Sequence, residues 1–107
     1  RVRKLAASIF RMHEFFAPWL RWSETDAPAL PTLRAFSEEG RKGRLGLLRR
    51  ALGAPGGRPP AEPLVLVAHV LLEYPSWKTL TAAGNTSDQA AVVVASAILS
   101  LYRSRCR

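Results

Sequence analysis

The chain is poor in the residues that chemistry most often uses. Its 107 residues include one cysteine, two histidines and one methionine, and its eight acids face sixteen basic side chains. A single cysteine excludes an intrachain disulfide framework. Cys106 lies between Arg105 and Arg107, cations that favour a thiolate, although a free thiol in a frayed tail is the plainer reading. His13 and His69 sit near no cysteine or carboxylate cluster at metal-ligand spacing, so no metal site is expected. His13 and Glu14 are neighbours whose side chains leave a helix on different faces, and His69 on an apolar helix reads as a hydrogen-bonded core residue. No G-x-S-x-G elbow and no Cys–His arrangement occurs. The glycines from Gly53 to Gly57 lack the Lys-Ser/Thr ending of a phosphate-binding loop, and the adjacent Glu38 and Glu39 read as solvated surface. The expectation is a non-enzymatic protein with no cofactor.

Long apolar runs are missing too. The most apolar stretches, Leu64–Leu72 and Ala90–Tyr102, fall short of the roughly 20 residues a spanning helix needs. Arg11, His13 and Glu14 interrupt the N-terminal apolar stretch too early for a signal peptide. The first residue is Arg1 rather than Met, which reads as an excised domain or a processed product. Asn85-Thr86-Ser87 matches the N-glycosylation acceptor pattern, but nothing else points to secretion. An intracellular, reducing compartment (cytoplasm or nucleus) is the expectation.

What the chain does have is clustered positive charge. Eleven of its sixteen basic residues fall in three short segments: Arg1, Arg3 and Lys4; Arg41, Lys42, Arg44, Arg49 and Arg50; and Arg103, Arg105 and Arg107. Clustering builds a local field that scattered charge does not. Only Lys4, Lys42 and Lys78 are lysine; the rest are arginine, whose planar fork pairs with phosphate and carboxylate alike.

Apolar periodicity and turn residues predict an all-α bundle of about five or six short helices, in one domain with a Gly/Pro-rich linker near the middle. An N-terminal helical half covers 1–52, the linker 53–63 and a C-terminal helical half 64–107, the two halves sharing one core because each alone is too small to fold comfortably. Val2, Leu5, Ile9, Met12 and Phe16 form a helical stripe, which Pro18 is expected to break. An aromatic knot of Trp19, Leu20 and Trp22 follows, then a loop from Ser23 to Pro31. A short helix from Pro31 buries Leu33 and Phe36 and stops at Gly40. Arg41–Leu52 turns Leu45, Leu48 and Leu52 inward and Lys42, Arg49 and Arg50 outward. Leu64–Glu73, apolar all round except for His69, reads as a central buried helix, with a strand as the competitor. Ser76 is expected to cap a helix running to Ala83 and ended by Gly84. Thr86 and Gln89 match a capping box, and Ala91, Val94, Ala95, Ile98, Leu101 and Tyr102 line one face of the last helix.

Three functional readings follow. The first is a basic helical interaction module, a domain of a larger protein, that binds an acidic or amphipathic segment of a protein partner. Its aromatic anchors would be Trp19, Trp22 and Trp77, with Phe15 and Tyr74 beside them. Its basic patch would draw on Arg41, Lys42, Arg44, Arg49, Arg50, Arg103 and Arg105, with Lys42, Arg49 and Arg50 at the centre because no acid of the same helix opposes them. The second is RNA or DNA binding, in which the clustered arginines track phosphate without a known recognition motif. The third is an anionic membrane surface met by the first amphipathic helix.

Overall fold

The structure, a computed structural model, describes residues 1–26, 31–53 and 60–105; of residues 19–26, 31–34, 36, 37 and 105 it describes the backbone alone. Five helices follow in order: α1 (Val2–Asp26), α2 (Pro31–Leu52), α3 (Glu62–Leu72), α4 (Tyr74–Ala82) and α5 (Ser87–Arg105). The described residues contain no strand, so the Leu64–Glu73 segment is helix and the protein is an all-α bundle.

Two helices run through positions where the sequence predicts a stop. Pro18 lies inside α1, which continues to Asp26. Proline removes one backbone donor and strands the carbonyl four residues earlier. Here Glu14 and Pro18 are both exposed, so water can serve that carbonyl and the helix persists. Likewise α2 does not stop at Gly40 but runs unbroken from Pro31 to Leu52. Each glycine costs about 1 kcal/mol relative to alanine, and burial of Leu48 and Leu52 offsets that cost. A Cβ added at Gly43 would meet nothing within 4 Å. Gly43→Ala is therefore expected to raise stability by about 1 kcal/mol, read as a higher urea midpoint with unchanged slope. A lowered midpoint would contradict this account of α2.

The later helices follow local signals more closely. The N-terminus of α5 carries the expected capping box: Gln89 N–H donates to Thr86 Oγ1 at 3.1 Å, and Thr86 N–H to Gln89 Oε1 at 2.9 Å. Gly84, at φ 103°, supplies the left-handed residue that ends the α4 turn. The start of α4 differs from the expectation. Glu73 is its N-cap, and the Ser76 hydroxyl instead donates to the Val70 carbonyl at 3.0 Å, tying α4 back onto α3.

One core joins both halves of the chain. Among the described residues, Phe10, Leu48, Val65, Leu72 and Ile98 are its largest fully buried side chains, drawn from α1, α2, α3 and α5. The most extensive helix pair is α1 against α5. Alanines line both sides of the core there: Ala6 on α1 and Ala90, Ala91 and Ala95 on α5 are all buried.

Three expected faces are displaced. The buried stripe of α1 is Val2, Ala6, Ile9, Phe10 and His13, while Met12 and Phe16 are exposed and Leu5 is half-buried. Helix α3 buries Leu64, Val65, Ala68, His69 and Leu72 but leaves Leu66, Val67 and Val70 in solvent, so it lies at the edge of the core, not its centre. On α5, Leu101 points outward. In each case an apolar surface wider than the neighbouring helices can cover leaves one side uncovered. Leu33, Phe36, Trp19, Leu20 and Trp22, and the linker residues 54–59, fall outside the described side chains or residues.

Candidate functional site: a basic pole, an apolar groove and a buried polar junction

Three contacts set how the helices run. Arg11 Nε meets Asp88 Oδ1 at 3.3 Å. The core cluster joins Val2, Ala6, Ile9 and Phe10, which precede Arg11, to Ala90, Ala91, Val94, Ala95 and Ile98, which follow Asp88, as in an antiparallel pair. Arg1 Nη1 donates to the Gly53 carbonyl at 3.2 Å, which places the start of α1 against the end of α2. Arg49 Nη2 meets Glu62 Oε1 at 2.6 Å, bringing the start of α3 to the same end. With Arg11 level with Asp88, Arg103 lies about 9 Å beyond Val2 along the α5 axis.

All three basic clusters therefore contribute to one end of the bundle. Arg1, Arg3, Lys4, Arg49, Arg50 and Arg103 gather there, and all are exposed. Glu62 is the acid at this pole, and it is held by Arg49; the pairing lowers the carboxyl pKa and raises that of the guanidinium. Every other acid belongs to the opposite half: Glu14, Glu24 and Asp26 on α1, Glu38 and Glu39 on α2, Glu73 past α3, and Asp88 on α5. Arg49, Arg50 and Arg103 complement the negative ends of α2 and α5. Arg1, Arg3 and Lys4 sit at the positive end of α1, where the helix dipole opposes them, so helix stability does not explain the first cluster.

Arg41, Lys42 and Arg44 are not part of this pole. Lys42 Nζ lies 3.9 Å from Glu39 Oε1 on the same unbroken helix, which corrects the premise that no acid of its own helix opposes it. Arg50 has no ion pair among the described residues, whereas Arg49 is already paired across to α3. The Arg105 side chain, Cys106 and Arg107 lie outside the described residues.

A groove of about 380 Å³ opens between the α3–α4 elbow and α5. Leu71, Pro75, Ser76, Thr79 and Leu80 form one side, and Val93, Val94 and Ala97 the other, with no charged residue among them. Helical spacing extends the apolar walls past the groove. Exposed Val67 lies one turn before Leu71, and exposed Leu101 one turn after Ala97. The α5 wall ends at Leu101; Arg103, two residues on, leaves the helix about 160° round from Leu101, on another face of the same helix end. The sequence reading missed Val67, Val93 and Ala97; the surplus of valine all round α3 and α5 was the available signal.

The aromatic anchors divide. Trp77 is half-buried, stacks on buried Tyr74 with centroids 5.6 Å apart, and donates its indole N–H to Ser87 Oγ at 3.0 Å. It caps the core. Phe15, 74% exposed, packs edge-on against Phe16 and is open to solvent. Val2 and Ile9, on which a membrane-facing first helix depends, are buried in the core.

A polar junction lies where α1, α2 and the end of α3 meet. His13 Nε2 contacts the Leu72 carbonyl at 2.8 Å, and His69 Nδ1 contacts Glu73 Oε1 at 2.9 Å. Both rings are buried, and Phe10, Tyr74 and Trp77 surround His13 with centroids 5.9, 6.0 and 6.4 Å away. Arg44 stands beside both histidines and Glu73, and burial lowers its pKa. His69 is thus the bonded core residue that its setting implies. The burial of His13 was not read from the sequence: Val2, Ala6, Ile9 and His13 recur at helical spacing, but so do Val2, Leu5, Ile9, Met12 and Phe16.

The described residues contain no group of three or more metal-ligating side chains, and no helix among them is long and apolar enough to cross a membrane. Among known proteins, the chain matches no family model, no curated protein and no solved structure.

Proposed function

We propose that this protein is a non-enzymatic helical interaction module that docks an acidic amphipathic helix of a protein partner. The observation that supports the reading is that one helix, α5, carries both a wall of an uncharged apolar trough and, past the end of that wall, a basic residue. The trough runs from Leu71 and Val93 past Ala97 to Leu101, and Arg103 follows about half a turn further along α5, toward the end where Arg1, Arg3, Lys4 and Arg50 lie. An amphipathic helix lays apolar side chains at i, i+3 and i+4 into such a trough, and carboxylates at one end meet the pole. Apolar burial supplies affinity there, while the charge sets direction and speeds encounter. An uncharged trough gives nothing to a phosphate backbone, and this favours the protein partner over nucleic acid.

The test uses a 20-residue peptide with leucines at helical spacing and glutamates concentrated at one end. Its scrambled counterpart, a single-stranded RNA and a duplex DNA serve as alternatives. Fluorescence anisotropy is expected to show saturable binding of the patterned peptide alone. Val93→Asp and the Arg50→Glu, Arg103→Glu pair should each weaken binding at least tenfold, with far-UV circular dichroism unchanged. RNA or DNA binding that falls steeply with salt and ignores Val93→Asp would instead establish the nucleic-acid reading.

A further inference from the structure

We propose that His13 and His69 form an acid-sensitive latch: both rings are neutral in the folded protein, and protonating them loosens the junction of α1, α2 and the α3–α4 elbow. The inference stands apart from the docking reading, because it concerns the response of the fold to protons and not any partner.

The hydrogen bonds fix the tautomers. A carbonyl oxygen only accepts, so His13 must carry its proton on Nε2 to bond Leu72. A carboxylate oxygen only accepts, so His69 must carry its proton on Nδ1 to bond Glu73. The second nitrogen of each ring, His13 Nδ1 and His69 Nε2, is buried without a partner among the described residues, as is Arg44 Nε. On a neutral ring that second nitrogen is a bare lone pair. Protonation turns it into a buried N–H with no acceptor and adds a charge to the ring, the costlier condition.

The surroundings oppose a second charge. The charge of Arg44, from α2, acts on both rings, and that of Arg41 on His69. Glu73 is the carboxylate acting on both rings, and it already bonds His69. From α4 come the Tyr74 phenol and the Trp77 indole, whose N–H is spent on Ser87 of α5. Asp88, next on α5, is engaged by Arg11 of α1, and Glu14 of α1 is exposed. Protonating both rings would therefore place two imidazoliums and two guanidiniums around one carboxylate. Burial is the largest influence on each ring and holds its pKa below the ordinary 6.5, although the Leu72 bond and Glu73 pull the other way.

The sign of the linkage follows. As the pH falls below 6.5 the unfolded chain takes up protons that the folded chain refuses, so stability is full above 6.5 and is lost as pH falls toward the folded values. Two such rings can change the folding constant by at most about a hundredfold per pH unit, and one ring by about tenfold.

Urea unfolding of the whole chain between pH 8 and pH 5, read by far-UV circular dichroism, tests the latch. The wild-type folding constant should be level from pH 8 to 7 and fall below 6.5. His13→Gln and His69→Gln should each reduce the slope, and the double variant should lose the component above pH 5. Glutamine keeps a donor for Leu72 or Glu73 but does not titrate. A level wild-type curve, or an undiminished slope in the double variant, would overturn the proposal. Should a variant not fold, long-range nitrogen-15 NMR of the wild type decides. Neutral rings at pH 6.5, protonated at His13 Nε2 and His69 Nδ1, are required. Charged rings or the opposite tautomers at that pH would refute it.

Discussion

Phe10→Ala should cost about 3–5 kcal/mol of folding free energy, among the largest losses any single truncation of this chain can produce. Phe10 has no exposed surface and is the largest fully buried side chain among the described residues, in the part of α1 that meets the core residues of α2, α3 and α5. It also packs beside His13, so its loss removes one wall of the polar junction. For a domain near 100 residues this corresponds to a fall in Tm of about 15 °C or more. Phe15→Ala is the matched control. Its ring is 74% exposed, and the change should stay within about 0.5 kcal/mol. Thermal melts of both variants decide the matter; equal shifts would mean that α1 is turned about its axis relative to the structure.

Ala95→Leu is the second large effect, and it acts by excess volume. Ala95 has no exposed surface and belongs to the alanine-rich face that α5 turns into the core, alongside Ala90 and Ala91, with Ala6 contributed by α1. Three extra carbons there must displace close-packed neighbours or force a rotamer out of its well, at about 1–3 kcal/mol. Ala97→Leu, two residues along and exposed at the groove, should change stability by no more than about 0.5 kcal/mol. It should nevertheless reduce binding of the acidic amphipathic peptide by partly filling the trough. A melt in which Ala95→Leu is neutral would contradict the close α1–α5 approach.

These residues show where the sequence was legible. The α5 capping box, the glycine ending the α4 turn and the inward Leu48 and Leu52 were all readable, because each rests on chemistry within a few residues. The breaks at Pro18 and Gly40 were misread. A local penalty of about 1–3 kcal/mol is decisive in an isolated peptide, but in the bundle it competes with burial further along the same helix. The α1 face was misread for another reason. Val2 and Ile9 belong both to the expected stripe and to the observed one, so periodicity alone could not choose between Met12 with Phe16 and Phe10 with His13. The choice falls to the partners: the alanines of α5 accept close approach, and the Leu72 carbonyl accepts the His13 proton.

The candidate site divides the same way. The order of the residues placed the positive charge in three clusters, but only the antiparallel packing of α1 with α5, and the return of α2 to Arg1, gathers part of each cluster at one pole. Packing also separated Arg44 from that pole and set it beside two buried histidines. The sequence by itself determined the all-α class, the α5 capping box, the glycine that ends the α4 turn and the amount of apolar surface to be covered, because propensity, capping and periodicity act over a few residues. Which apolar faces are covered, which charges converge and which histidines lose water were decided only by tertiary structure, because they depend on helices far apart in the chain competing for the same limited core.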